Sequence, residues 1–196
     1  MARRWIALTI VVFLPVALMI AYRMRETTPF ATVELIAYPL LFGGLGIAAI
    51  LGLKRWFLGR PWSDFNAGEG TLAADLLHAA GLTAVYFVLF ALFRATLADL
   101  LAARPNLELL ELMLSMRERP LLMLVWFGPV LWIGIALYEE LTRVFLLDEL
   151  WRCSERPAWT VFAIVLAAAL VGLVHWSQGP FGIVTIGLKS LVSGAY

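Results

Sequence analysis

The sequence predicts an all-α protein: a multi-pass transmembrane helical bundle with about six apolar spans and one amphipathic interfacial helix. Three observations predict it. Hydrophobic residues make up 62% of the 196 residues and charged residues only 15%, and the mean hydropathy is +0.88. A soluble domain averages roughly 45–50% apolar and ~25% charged residues, and a chain this short cannot hide the excess in one core. Apolar stretches of membrane-spanning length recur along the chain. Eight tryptophans, including Trp151 and Trp159 on either side of a loop, read as interface anchors. A soluble enzyme, a disordered tail and a disulfide scaffold are poor readings of this composition. We treat residues 1–196 as a single membrane-embedded domain.

Each element follows in order. The first span runs from Trp5 to Tyr22, between Arg3-Arg4 and Arg23 and Arg25. Its eighteen residues cover about 27 Å at ~1.5 Å each, nearly a bilayer core. It lacks a small-residue cleavage site and reads as an uncleaved anchor. The second runs from Ala31 to Leu53, contains Glu34, Pro39 and Gly43-Gly44, and is closed by Lys54 and Arg55. A polar loop with Gly59, Pro61, Asp64, Gly68 and Gly70 follows. The third span, Leu72 to Phe93, carries Asp75 and His78 near its start, which read as a polar cap at the membrane surface, as does Glu34.

Residues 95–119 carry an amphipathic helix. Leu107, Leu110 and Leu114 recur on one face, and Glu108, Glu111, Ser115 and Glu118 on another, with Pro105 as the break before them. The fourth span starts at Gly128-Pro129, since proline in a first helical turn loses no needed donor, and runs to Trp151. The fifth runs from Ala158 to Ser177 and is broken at Gly179-Pro180. The sixth begins at Phe181 and continues to Tyr196. Basic residues divide almost evenly between the two sides, which assigns no orientation.

The net charge of +1, from 15 basic and 14 acidic residues, leaves no electrostatic footprint for nucleic acid. The single cysteine, Cys153, excludes an internal disulfide and a Cys-rich zinc site. The expected partner is the lipid bilayer.

The chemistry concentrates in the fourth and fifth spans. Glu139, Glu140 and Arg143 lie in an apolar helix, with Glu139 about 15 Å from a start at Pro129. Each charge at mid-membrane costs on the order of 2.5–3.5 kcal/mol, so pairing is required. Glu139 and Arg143 are four apart in the favourable order and are expected to pair, facing the protein interior. Two readings stand side by side: a carboxylate held ready to activate water or bind a metal, and a structural ion pair locking helices together. His175, in Gly172-Leu173-Val174-His175-Trp176-Ser177-Gln178-Gly179-Pro180, would complete a minimal acid–base kit. Zinc needs three or four ligands. The sequence requires no cofactor, and a divalent metal held by Glu139, Glu140 and His175 stays open.

The run Glu139-Glu140-x-x-Arg143-x-Phe145-Leu146, followed one span later by Gly172 to Pro180, resembles the CPBP family, the CAAX proteases and bacteriocin-processing proteins. The resemblance covers about residues 120–196 and implies a multi-pass helical fold. It implies an intramembrane endopeptidase, of the type II CAAX prenyl protease kind, that hydrolyses a peptide bond near or within the membrane. In that pattern Glu139, Glu140, Arg143 and His175 are the catalytic residues. The family usually places three residues between the second Glu and the arginine, whereas Leu141 and Thr142 are two. Aligning Arg143 puts Tyr138 in the first-Glu position. Val171 stands where the family often has phenylalanine, and no histidine follows His175, so the chain is expected to be an incomplete domain lacking the third motif.

The expected function is therefore hydrolysis of a membrane-associated peptide or protein substrate, CAAX-type included, by glutamate- and histidine-activated water, in the cell membrane. Glu139, Glu140 and His175 are expected to converge on one water-accessible cavity. The alternatives are a non-catalytic membrane interaction or bacteriocin-immunity-like protein on the same scaffold, and a small proton-carrying transporter, for which no repeat speaks.

Overall fold

A computed structural model describes residues 1–23, 32–66, 70–103 and 107–195. Arg25, Ala31, Gly68, Pro105 and Tyr196 lie outside them, as do the side chains of Leu107, Glu108 and Ser177. Most of the described residues are helical, with no strand among them. They form two compact units: Met1–Trp62 with Pro105–Glu149, and Ser63–Arg104 with Leu150–Tyr196.

In the first unit, α1 (Ala2–Arg23) and α2 (Thr32–Gly52) are the first two expected spans. α2 keeps Pro39 inside it and continues into a wide π turn, Leu53–Phe57. α4 (Leu107–Met116) follows later in the chain, and α5 (Pro120–Val125) starts with Pro120 in its first turn. α5 runs on through a wide π segment, Trp126–Leu137, into α6 (Tyr138–Trp151).

The fourth span thus begins nine residues before Pro129, which corrects the expected start. Gly128 adopts φ −88° and ψ −108°, outside helical geometry, and Pro129 brings no N–H to the ladder. The chain kinks there and continues, with wide turns taking up the missing bonds. Glu139 consequently lies about 28 Å along this span instead of 15 Å. It is also about 15 Å short of Glu149 at the far end.

Backbone contact holds α2 against this long helix. A Cβ on Gly43 would collide with the Gly134 carbonyl, one on Gly46 with the Tyr138 ring, and one on Gly134 would sit 2.8 Å from the Pro39 carbonyl carbon and oxygen. Small residues allow such close approach in membranes. Met116, Trp126 and Val130 form a buried cluster beside it, packed by Ile36, Leu40, Leu122 and Ile135. Leu110 and Leu114 of α4 stay exposed.

In the second unit α3 (Leu72–Leu100) is capped by the Thr71 hydroxyl, which accepts from the Ala74 N–H at 3.3 Å. Asp75 lies in its first turn. α3 runs seven residues past the expected end at Phe93, because Arg94 and Asp99 are carried on its last turns. The amphipathic element is correspondingly shorter than residues 95–119. α7 (Pro157–Val174) and α8 (Gly179–Ala195) are joined by a tight 3-10 turn, Trp176–Gln178. Gly179 has φ +74°, the left-handed region that favours glycine. Gly172 lets α8 approach: its Cβ would lie 2.6 Å from the Ile183 carbonyl oxygen and 3.1 Å from the Gly187 Cα.

Among the described residues four helices are long and apolar enough to cross a membrane, Ile36–Phe57, Leu72–Leu100, Pro120–Trp151 and Pro157–Val174. Little of each apolar stretch is buried by protein, so lipid must cover the rest. The chain is an integral membrane protein.

Candidate active site

α6 carries the first set of expected site residues. Glu139 is half-buried and Glu140 is exposed, with 56% of its side chain accessible. Arg143, three residues on from Glu140, grips it with two N–H groups. Nε donates to Oε2 at 3.0 Å and Nη2 to Oε1. Such a fork–fork pair fixes orientation as well as charge. The arginine fork closes on Glu140. Three- and four-residue spacings both put two side chains on one helix face, and Arg143 makes a further interaction besides this fork. Glu139 has interactions of its own.

Two contacts hold Tyr138 in place. The Thr142 hydroxyl, buried, donates to the Tyr138 carbonyl at 2.8 Å. The Tyr138 ring packs on the bare backbone of Gly46 in α2. The side chain in the family's first-Glu position is thus committed to packing if Arg143 is aligned.

His175 belongs to the second unit, as the residue that ends α7. Its backbone N–H donates to the Gly172 carbonyl at 3.0 Å. Its ring Nδ1 lies 2.9 Å from the Val171 carbonyl oxygen. A carbonyl can only accept, so Nδ1 carries the hydrogen, and in the neutral ring the lone pair is on Nε2. That is the tautomer a general base or acceptor at Nε2 needs. Within each unit, no three His, Cys, Asp or Glu among the described residues are grouped to hold a metal ion.

The structure brings together a second charged set that the sequence reading did not single out. Asp148 accepts from Lys54 Nζ at 2.9 Å and from Arg60 at 3.3 Å. Glu149 accepts from Arg60 at 2.5 Å and from Arg4 Nε at 3.0 Å. Lys54 is 0% exposed and the Glu149 side chain 1%. One signal was legible in the sequence: two adjacent acids, Asp148 and Glu149, near the end of α6.

Residues 121–196 match the model of the family described as type II CAAX prenyl endopeptidase Rce1-like. This stretch of the chain is similar to that family. The Rce1-like stretch contains Glu139, Glu140, Arg143 and His175, the residues on which the CPBP resemblance rests. No curated protein and no solved structure matches the chain.

Proposed function

We propose that the chain is an intramembrane endopeptidase that hydrolyses a peptide bond of a membrane-associated, CAAX-type substrate. The observation that carries this reading is the Glu140–Arg143 fork beside Glu139, in a largely apolar span of the Rce1-like stretch. A structural ion pair needs one carboxylate, and here a second stands next to it. Both Glu140 oxygens already receive arginine N–H groups, so Glu139 is the general base on water and the Glu140–Arg143 pair positions it. His175, through Nε2, assists by proton transfer or by binding the oxyanion. Water activation is assigned to the carboxylate, with no metal required. The reading includes six spans in the cell membrane, α1 and α8 in addition to the four helices named above.

The test is cleavage of a prenylated CAAX-type peptide by the detergent-extracted protein. Glu139→Gln and His175→Ala are expected to lower turnover by about 10²–10⁴-fold, the usual worth of a general acid–base group. Glu140→Gln should cost less, since it removes only a positioning contact. Normal cleavage by all three variants, or none by the unaltered protein, would replace this reading with a second one. That second reading is a membrane interaction protein on the same scaffold, and the packing of Tyr138 on Gly46 favours it.

A further inference from the structure

Lys189 stands in the middle of α8 with an exposed side chain, and no carboxylate pairs with it among the described residues. Its depth can be read from α3. The uncharged stretch of α3 lies between His78 and Arg94, and Tyr86 is eight residues from each. Tyr86 and Lys189 line the same cleft between α3 and α8. The ammonium group therefore lies level with the centre of an apolar transmembrane stretch. An intramembrane cation is tolerated there only with a partner or water, and it marks a functional site by default.

The cleft itself is built for something long and apolar. It has two lobes, each about 320 Å³, that share Tyr86, Lys189 and Val192. They extend along α3 from Leu82 to Leu97, about 22 Å of helix. Phe90, Phe93 and Leu188 line one lobe. No residue of α3 is buried, although the helix is 29 residues long. A phospholipid carries its charge about 15 Å from the midplane, half the thickness of the hydrocarbon core. A transmembrane helix can carry a carboxylate at any depth.

We propose that the α3–α8 cleft docks a transmembrane helix of a partner protein, whose single Asp or Glu pairs with Lys189 at mid-membrane. The inference stands apart from the hydrolase reading, because none of these residues belongs to the Glu139–His175 set.

The probe is a Leu/Ala transmembrane peptide with one central Glu, compared with the same peptide carrying Gln. Binding to the full chain is measured by energy transfer in nanodiscs of zwitterionic lipid. The Glu peptide is expected to bind about tenfold more tightly, a difference of ~1.4 kcal/mol. Lys189→Met, which removes an exposed side chain with no carboxylate partner among the described residues, should abolish the preference. Lys189→Glu should transfer it to a peptide with a central Lys. Equal binding of the Glu and Gln peptides would overturn the proposal, as would a preference that survives Lys189→Met. Displacement of the Glu peptide by anionic phospholipid, with lipid retention lost in Lys189→Met, would assign the cleft to lipid and also overturn it.

Discussion

Glu149 accepts from both Arg4 and Arg60 while its side chain is almost wholly enclosed. Desolvating a carboxylate costs several kcal/mol, and only well-formed pairs return it. Removing Glu149 takes one counter-charge from both arginines. Glu149→Ala is therefore expected to destabilise the protein by about 3 kcal/mol, read as lost thermal stability in detergent. Lys54→Met should cost less, because Asp148 keeps Arg60 and the methionine fills most of the lysine volume. The pairing of Arg143 follows different rules. Its fork holds an exposed carboxylate, so Glu140→Gln should leave stability within about 1 kcal/mol of the unaltered protein. Its effect belongs to turnover.

At the scale of the helix pair, glycine decides the approach. Gly134 lies against the Pro39 carbonyl of α2, with Gly43 opposite. Gly134→Val is expected to force the helices apart and cost about 1–3 kcal/mol. Gly44 supplies the control, since a Cβ there meets nothing within 4 Å. Gly44→Ala should change stability by no more than about 0.5 kcal/mol. Both variants can be compared by thermal unfolding in one detergent. The sequence showed these glycines and the spans that carry them, because apolar runs and breakers are local signals. It could not show that Gly128-Pro129 interrupts a helix already under way. Proline suits a helix start, and only the geometry at Gly128 separates a start from a kink. The fork between Arg143 and Glu140 was hidden for a similar reason, since glutamates three and four residues back share one face with the arginine. The Lys54–Asp148 and Arg4–Glu149 pairs join residues 94 and 145 positions apart, a separation on which no spacing rule acts.

For the whole molecule, four apolar helices with little protein cover demand a lipid environment. The protein is expected to sediment with membranes, to resist an alkaline carbonate wash and to enter solution only with detergent. Recovery as a soluble monomer without detergent would refute the architecture. The ion cluster of the first unit adds a constraint on biosynthesis. Ribosomes release Arg4, Lys54 and Arg60 long before Asp148 and Glu149. The early hairpin of α1 and α2 must therefore wait in the translocation machinery or at the bilayer surface for its acidic counterparts. The charged end of α6 becomes a late latch, and the first unit closes only after the chain has been synthesised through residue 149.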